Sequence, residues 1–231
     1  MVRPPDAIVA AMKLYSGPLS MFGAKAEIAL HEKGIDFELV MVPFEMKTLY
    51  QPKHPEVARI NPKRQVPVLV DGDVEIFDST QIFEYLETIK HAPALWPASP
   101  KAKARARLLE HISDEIYFPP IGRLMGLART PDDPAAIEAR RAAGAVYDDM
   151  ERALEGGSWL AGELSYADIA FYMAQLFGER WGVPLTDAHG KLQAWRDRMS
   201  GRPAVAKVAG AMGGYLVSQG RPLPPFLAKL T

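Results

Sequence analysis

Residues 65–79 constrain the fold more than any other stretch of the sequence. They contain two short apolar runs, at 66–70 and 74–77, which an Asp-Gly dipeptide joins. Asp-Gly between two β-forming runs is a strong signal for a tight antiparallel hairpin. Pro67 cannot donate to a β-ladder, which places it at a strand start, an edge or a special turn. The stretch therefore predicts a hairpin with free backbone groups at one strand edge.

The polar pair Asp78-Ser79 follows the hairpin and opens a helix predicted over residues 80–88. In isolation, such a pair is more typical of a simple N-cap than of a ligand site. A helix start also leaves backbone N–H groups free to hold an anion, which the helix dipole favours. Combined with the open strand edge upstream, the pair predicts a site that holds a small extended peptide by both of its ends.

The composition argues against several classes of function. A net charge of −1 over 231 residues argues against a nucleic-acid-binding surface. The absence of cysteine excludes disulfides, thiolate metal sites and a protein thiol nucleophile. The five histidines are scattered without metal-ligand spacing, so we expect no metal. No apolar run reaches the length of a membrane span and residues 1–11 do not resemble a secretory signal, so we expect a cytoplasmic protein without a membrane partner.

The secondary-structure signals divide the chain into two domains. Residues 1–11 are predicted as a flexible N-terminal extension, and residues 12–88 follow the order β-α-β, an irregular connection at 43–61, then β-β-α. A proline-rich linker at 89–100 leads to residues 101–231, where helical periodicity replaces the strand signal. The predicted fold class is a small mixed α+β domain, βαβ-ββα, joined to an all-α helical bundle.

The C-terminal domain is predicted to contain one deeply buried helix. Ser165 and Asp168 form a capping-box pattern, and the helix that follows is apolar nearly all round. We assign both polar residues to folding and not to catalysis. The predicted strands cover residues 12–15, 37–42, 66–70 and 74–77, and the predicted helices cover 21–33, 80–88, 102–116, 134–154, 169–177, 191–199 and 204–217.

A series of short motifs along residues 12–205 forms a specific combination, although each motif alone is weak. In order they are Ser20 with Lys25, Asn61-Pro62, Gln65-Val66-Pro67-Val68-Leu69, Asp78-Ser79, Tyr85-Leu86, Trp159-Leu160-Ala161-Gly162, Ser165-Tyr166-Ala167-Asp168-Ile169-Ala170 and Arg202-Pro203. This set resembles the glutathione transferase superfamily, in its bacterial, serine-type cytosolic class. The resemblance implies a thioredoxin-like N-terminal domain, a helical domain that carries the second-substrate side and the dimer contacts, a cis bond between Val66 and Pro67, and a homodimer.

The resemblance also implies that the extended peptide ligand is glutathione, bound as a co-substrate. The Val66 backbone would pair with its cysteinyl part in the manner of β-strand addition, and Asp78 with Ser79 would receive its γ-glutamyl end. The implied glutathione-binding residues are Lys53, Gln65, Val66, Pro67, Asp78 and Ser79.

Three positions depart from the pattern of the family. Relatives often carry glycine where this chain has Arg64, and often glutamate where it has Asp78. Many relatives have a histidine at the position of Pro52, and we assign the neighbouring Lys53 as its substitute.

The implied chemistry is stabilisation of the glutathione thiolate. A free thiol has a pKa of about 8.5, and both a hydroxyl hydrogen bond to sulfur and a helix N-terminus lower it. Ser20, before the first helix, is the candidate donor and matches the family's serine position. Tyr15, at the end of the first strand, and Ser16 remain alternatives.

The second substrate is expected to be an electrophile with apolar bulk, bound between the two domains. Apolar and aromatic residues at helical spacing are more often core than pocket, so their assignment rests on placement alone. The assigned pocket residues are Leu19, Tyr117, Ile121, Met125 and Trp181.

The sequence as a whole predicts a glutathione S-transferase that acts in detoxification. Two alternatives stay open on the same fold. One is another glutathione-dependent enzyme, an isomerase, a dehalogenase or an ether-cleaving enzyme. The other is a non-catalytic interaction module.

Overall fold

The structure is a computed structural model that describes residues 11–231. The N-terminal extension predicted for residues 1–11 lies outside the described residues, apart from Ala11. The chain divides into two compact units, the first ending at Leu86 and the second comprising Glu87–Thr231. The first contains a four-stranded mixed sheet with helices and the second is helical, which confirms the predicted fold class.

The sheet of the first unit combines one parallel and two antiparallel pairs. Its strands are β1 (Lys13–Ser16), β2 (Glu38–Met41), β3 (Val68–Asp71) and β4 (Val74–Phe77), in the spatial order β2-β1-β3-β4. β1 pairs with β2 in parallel, whereas β3 pairs antiparallel with both β1 and β4. In the turn between β3 and β4, Gly72 has a φ of +63°, a conformation that glycine adopts without steric cost. The predicted βαβ unit and hairpin are both confirmed.

Three helices accompany this sheet: α1 (Met21–Glu32), α2 (Pro55–Ile60) and α3 (Ser79–Ile89). The prediction of an irregular connection over residues 43–61 is wrong at its end, where α2 forms. Pro55 stands in the first turn of α2, where its missing N–H costs nothing, while Glu56 and Arg59 complement the helix dipole. A helix of six residues is too short to show a periodic pattern in the sequence.

The last two residues of β1 show how the helices cover the sheet, because successive residues of a strand point to opposite faces. Ser16 faces α1, since its hydroxyl oxygen lies against Gly23. Tyr15 faces the other way, into a cluster with Val57 of α2, and its ring centroid lies 5.2 Å from that of His54. Helices α1 and α2 therefore cover opposite faces of the sheet.

The second unit contains six longer helices: α4 (Pro100–His111), α5 (Phe118–Gly126), α6 (Pro134–Ala153), α7 (Tyr166–Arg180), α8 (Gly190–Ser200) and α9 (Pro203–Ser218). The predicted helix over residues 102–116 does not end the helical path, which continues through Pro119-Pro120. A π-helical segment, Ile112–Tyr117, joins α4 to α5, and the Phe118 N–H bonds to the Ser113 carbonyl five residues earlier. This wider π-helical turn shifts the pattern of backbone hydrogen bonds just before Pro119 and Pro120, which have no N–H to donate.

Helix α7 is buried along most of its length, and its N-terminus has the predicted capping box. One carboxylate oxygen of Asp168 accepts the backbone N–H of Ser165 at 2.9 Å. The other accepts the Leu160 N–H at 3.0 Å and the Trp195 indole N–H at 2.9 Å. Burial raises the pKa of Asp168, while these hydrogen bonds act to lower it. Asp168 thus ties the start of α7 to a loop and to α8.

The segment predicted as a linker, residues 89–100, packs against the helical unit. Leu95 and Trp96 are buried, and the Tyr166 backbone N–H donates to the Leu95 carbonyl at 3.0 Å. The rings of Trp96 and Tyr166 lie 4.7 Å apart. Across the part of the chain that the structure describes, no helix combines the length and the apolar character that a membrane crossing needs.

Candidate active site

The first unit contains a surface pocket at the entry to the hairpin. It brings together five of the six positions predicted to bind glutathione, with Lys53 as the exception. The lining residues are Phe22, Asn61, Lys63, Gln65, Val66, Pro67, Phe77, Asp78 and Ser79. Phe22 lies two residues after Ser20, so the N-terminus of α1 borders the pocket.

The loop that forms one wall of the pocket is held by the buried side chain of Asn61. Its amide nitrogen donates to the Gln65 carbonyl at 2.6 Å, and its oxygen accepts the Lys63 N–H at 2.9 Å. Its backbone carbonyl accepts the Arg64 N–H at 2.7 Å. Arg64 has a φ of +53°, a left-handed conformation that glycine adopts without steric cost.

The Val66–Pro67 peptide bond is cis, as predicted. The strand predicted from Val66 begins two residues later, because β3 starts at Val68. Within the described residues, no hydrogen bond involves the N–H or C=O of Val66. Val66 therefore lines the pocket with backbone groups that no described residue engages.

Asp78 and Ser79 stand at the start of α3. One oxygen of Asp78 accepts the backbone N–H groups of Thr80 and Gln81, at 3.0 and 3.3 Å, so the simple N-cap interpretation is correct for this residue. Asp78 has a φ of +77°, a conformation rare outside glycine, which a short polar side chain tolerates better than most. Both residues also line the pocket. A capping carboxylate retains acceptor capacity, so capping and ligand binding are compatible.

The pocket carries one charged residue of each sign. Lys63 is exposed, and none of the described residues forms an ion pair with it. Asp78 lines the same pocket with a carboxylate. A pocket with one base and one acid is complementary to a zwitterion such as the free α-amino acid end of a peptide.

Ser20 is the N-cap of α1. Its Oγ accepts the backbone N–H of Gly23 at 3.0 Å. A serine hydroxyl has one donor and two acceptor positions, and no described residue accepts the Ser20 proton. The first turn of α1 has no acidic residue, so no carboxylate there offsets the positive end of its dipole. Ser20 can therefore donate a hydrogen bond to an anion at this helix end.

The two alternatives to Ser20 occupy different environments. Tyr15 packs on the sheet face that α2 covers, away from the start of α1. Ser16 lies on the α1 side, is only 1% exposed, and its Oγ has no hydrogen-bond partner among the described residues. The geometry thus favours a serine over the tyrosine at this helix end.

The remaining predicted site residues are dispersed. Lys53 is half-buried in the loop before α2 and does not line the pocket. Leu19 is half-buried just before α1, whereas Met125 is 39% exposed at the end of α5. Trp181 is half-buried at the end of α7.

Tyr117 and Ile121, which the sequence analysis assigns to the wall of the second-substrate pocket, lie in the core of the helical unit. Both are completely buried. The Tyr117 hydroxyl forms a 2.7 Å hydrogen bond with that of Tyr147, and its ring meets Phe171 edge-on. Both positions therefore follow the more common pattern, in which apolar and aromatic residues at helical spacing pack in the core.

Sequence reasoning missed four pocket residues: Phe22, Asn61, Lys63 and Phe77. Asn61 was available from the sequence, as part of the Asn61-Pro62 motif a few residues before Gln65. Nothing in the sequence distinguished Lys63 from other exposed lysines. The described residues also contain no group of three or more acidic or histidine side chains arranged to hold a metal ion.

Two family profiles match the sequence. "Glutathione S-transferase, N-terminal domain" matches residues 14–103, and "Glutathione S-transferase, C-terminal domain" matches residues 88–203. Together they cover most of both units.

Similar proteins extend over most of the chain. "Glutathione S-transferase 3" of Zea mays is 29% identical over 230 residues, covering 94% of this chain and 97% of its own. "Maleylacetoacetate isomerase" of Rattus norvegicus is 32% identical over 178 residues, covering 75% and 81%. A solved structure described as glutathione S-transferase-I bound with the ligand lactoylglutathione superposes with a TM-score of 0.73 at 28% identity, covering 87% of this chain and all of the other.

Proposed function

The chain belongs to the glutathione S-transferase family, and from this membership we propose how its own residues carry out the transfer of glutathione. The enzyme uses glutathione as a co-substrate and transfers it to an electrophile. In that reaction a sulfur–carbon bond forms, the leaving group departs with its bonding electrons, and the thiol proton goes to water. The protein's task is to bind the tripeptide and to favour its thiolate.

The cysteinyl part of glutathione pairs with the backbone of Val66. The support is that the N–H and C=O of this residue have no partner among the described residues, directly beside the sheet. Two such bonds hold an extended peptide as an added strand and fix its direction. Gln65, next in the same wall, contacts the same ligand.

The γ-glutamyl end is held by groups of both signs. The Asp78 carboxylate accepts hydrogen bonds from the ammonium group of the γ-glutamyl residue. The α-carboxylate of that residue is bound by Ser79, by the N-terminus of α3 and by Lys63. The support is that the pocket contains one acidic residue, Asp78, and one basic residue, Lys63, which forms no ion pair with any described residue. These two charges are complementary to the ammonium and the carboxylate of the γ-glutamyl end. Lys53, outside the pocket, is proposed for the glycyl carboxylate.

Ser20 donates its hydrogen bond to the sulfur. The observation that carries this role is the unused proton of Ser20 at the N-terminus of α1, whose Oγ already accepts the Gly23 N–H. That accepted bond polarises the hydroxyl and makes it a better donor. A decrease of one unit in the thiol pKa corresponds to about 1.4 kcal/mol, within reach of one charge-assisted hydrogen bond.

The second substrate is an electrophile with apolar bulk, for which Leu19, Met125 and Trp181 remain the proposed contacts. We propose that the working form is a homodimer. Phe77 and Val74, apolar residues of β4 that are more than a third exposed, support an interface on this edge of the sheet. A cytoplasmic location and a role in detoxification are proposed from the family alone.

A titration of bound glutathione tests the role of Ser20. The thiolate absorbance of the wild-type complex is followed against pH and compared with Ser20→Ala, while calorimetry gives the dissociation constant of each. We expect the bound thiol pKa to lie about one to two units below 8.5 in the wild type and near 8.5 in the variant. Turnover at neutral pH should fall about tenfold or more, with little change in glutathione affinity.

Ser99→Ala is the matched control, because Ser99 caps α4 without a side-chain hydrogen bond. It should behave as the wild type. A wild-type complex whose thiol titrates at its free value would contradict the proposed activation, and an unchanged pKa in Ser20→Ala would remove this serine from the role. Product analysis with conjugation and isomerisation substrates separates a transferase from an isomerase such as the rat relative.

A further inference from the structure

Arg180, in the last turn of α7, has no acidic partner in the part of the chain that the structure describes. The residue is half-buried, and none of the described residues forms a hydrogen bond or an ion pair with its guanidinium group. Its guanidinium carbon lies 5.2 Å from the ring centroid of Phe177 and 5.7 Å from that of Trp181. These cation–π contacts hold the cation but supply no hydrogen-bond acceptor for its N–H groups.

The acidic residue next to Arg180 in the sequence is engaged elsewhere. Glu179 forms an ion pair with Arg196. Its Oε1 also accepts the side-chain amide of Gln175 at 2.9 Å and the backbone N–H of Leu185 at 3.1 Å. The negative end of the α7 dipole favours a cation in this turn, but a dipole does not replace a counter-ion. The N–H groups of Arg180 are therefore left for an acceptor that the described residues do not supply.

A second arginine adds positive charge near Arg180. Arg221 is exposed just after α9, and its backbone N–H donates to the Leu216 carbonyl at 2.9 Å. Its side chain forms no hydrogen bond or ion pair with the described residues. Burial and the charge of Arg221 together lower the pKa of Arg180 to about 10, and no carboxylate of the described residues raises it. An anion bound here would relieve this repulsion.

The surroundings of Arg180 indicate what kind of anion fits. Trp181 is half-buried, and the ring of Phe177 meets that of the half-buried Phe118 edge-on, with the centroids 5.9 Å apart. A carboxylate matches the planar guanidinium group, because it can accept two parallel N–H bonds. Apolar bulk beside that carboxylate would pack on the aromatic side chains. The site is complementary to an apolar molecule that carries a carboxylate.

We propose that Arg180 binds a carboxylate of the second substrate, with Arg221 adding positive charge, so that the preferred electrophile is an anion with apolar bulk. This inference rests on the proposed function, in which Trp181 contacts that substrate. It extends the proposed function, which requires only apolar bulk. Arg180 binds and orients the electrophile and takes no part in the bond changes of the transfer.

A matched pair of electrophiles tests this preference: 4-chloro-3-nitrobenzoate and its neutral amide, 4-chloro-3-nitrobenzamide. With both, a bond forms between the glutathione sulfur and the ring carbon, and chloride leaves with the bonding electrons. Each kcat/KM is divided by the rate constant of the uncatalysed reaction, which removes the difference in intrinsic reactivity. For the wild type we expect this ratio to favour the benzoate by about tenfold or more, mainly through a lower KM.

Arg180→Met should remove the preference. The kcat/KM for the benzoate should fall about tenfold or more, whereas the value for the benzamide should change by less than about twofold. Arg180→Lys keeps the charge without the planar fork, so it should retain only part of the preference. Arg221→Met should lower the value for the benzoate by about two- to threefold, and this smaller effect should shrink as salt screens the charge.

Arg129→Met is the matched control for net charge. Arg129 is exposed in the turn after α5, and no described residue forms an ion pair with it. This variant should treat both electrophiles as the wild type does. Calorimetry should give the same dissociation constant for glutathione in every variant, because the Arg180 site binds the second substrate. Urea denaturation reports whether each variant is folded.

Two results would overturn the proposal. One is a wild type without preference for the benzoate, and the other is a loss in Arg180→Met that is equal for both electrophiles, which would make the role of Arg180 structural. If Arg180→Met does not fold, the same ratio measured in Arg180→Lys and Arg221→Met decides.

Binding of 4-methyl-3-nitrobenzoate separates a failure of this proposal from a failure of the proposed function. This compound has no leaving group, so calorimetry measures its binding without turnover. A wild type that conjugates neither electrophile, yet binds this carboxylate more tightly than Arg180→Met does, would contradict the transferase chemistry and support the Arg180 site. Equal binding by the wild type and Arg180→Met would contradict the Arg180 site itself.

Discussion

The side-chain amide of Asn61 donates a 2.6 Å hydrogen bond to the backbone carbonyl of Gln65, the residue before the open Val66 edge. Its oxygen meanwhile accepts the N–H of Lys63, so one buried side chain spans the loop. The loop presents its ligand-facing groups without support from the β-ladder, which begins only at Val68. Asn61 therefore supplies the rigidity that a strand would otherwise give.

Replacing Asn61 with alanine should weaken both the fold and glutathione binding. The variant leaves the Lys63 N–H and the Gln65 carbonyl without their partner, and we expect a loss of about 1 to 3 kcal/mol in the free energy of unfolding. Urea denaturation measures this loss, and calorimetry should show a several-fold weaker affinity for glutathione. Asn61→Asp keeps the acceptor but places an anionic oxygen against a carbonyl, so it should be at least as unstable. A variant with wild-type stability and affinity would contradict the role of Asn61.

Lys63 should contribute a modest, salt-dependent part of glutathione affinity. Exposed ion pairs are worth about 0.2 to 1 kcal/mol, so Lys63→Met should raise the dissociation constant up to about fivefold at low ionic strength. The effect should shrink as salt screens the charge. Lys207→Met, which removes an exposed lysine of α9, is the control for net charge.

A tripeptide with 4-aminobutyrate in place of the γ-glutamyl residue separates the possible targets of Lys63, because it lacks only the α-carboxylate. The wild type and Lys63→Met should bind it equally. A persisting difference would place Lys63 at the glycyl carboxylate instead.

The parts of the fold that sequence predicted are those with local signals. The hairpin follows from an Asp-Gly turn between two runs, and the capping box at Ser165 from residues three positions apart. Helix α2 was not predicted because six residues are too few to show a periodic hydrophobic pattern. The continuous helical path through Pro119-Pro120 was not predicted because a π-helical turn has no characteristic amino-acid composition.

The candidate site divides in the same way. The motif residues around Val66 and Asp78 were predicted together because the family pattern carries them, and the sheet brings them into one pocket. The place of Lys63 in the pocket depends on the conformation of its loop, which the neighbouring sequence does not reveal. Tyr117 and Ile121 were assigned to a pocket from their placement alone, because the sequence of an apolar helix does not say what covers its apolar face.

Gly178 should be intolerant of even one added methyl group. A Cβ there would overlap the Tyr117 hydroxyl and would lie 3.1 Å from that of Tyr147, inside a fully buried pair. Since Tyr147 also donates to the Val183 carbonyl at 2.7 Å, displacing the pair breaks several bonds at once. We expect Gly178→Ala to lose about 3 kcal/mol or more in urea denaturation.

Gly144→Ala is the control for Gly178, because nothing lies within 4 Å of its added Cβ in the middle of α6. It should stabilise the protein by about 0.5 to 1 kcal/mol through helix propensity. Adding Tyr117→Phe to Gly178→Ala should recover part of the loss, since the overlapping oxygen is gone. Equal effects of the two glycine substitutions would contradict the packing at Gly178.

Tyr85 should make stability depend on alkaline pH. Its hydroxyl donates to the Asp71 carboxylate at 2.7 Å, and burial together with this hydrogen bond raises the pKa of Tyr85 to about 12. In the unfolded chain the pKa is about 10, so between these values the unfolded state binds fewer protons than the folded one. The stabilisation is therefore complete below about pH 10 and is lost as the pH rises toward 12.

Urea midpoints of the wild type and Tyr85→Phe, measured from about pH 9 to pH 12.5, should reveal this loss. The urea midpoint of the wild type should exceed that of Tyr85→Phe by a constant amount up to about pH 10, and this difference should shrink above that pH. Asp71→Asn keeps an acceptor but removes the negative charge, which lowers the pKa of Tyr85 in the folded state, so the decline should still begin near pH 10 but should be smaller and end at a lower pH. A wild-type advantage that stays the same across the whole range would mean that the Tyr85 proton is not held by Asp71, and that the contact stabilises the hairpin by packing alone.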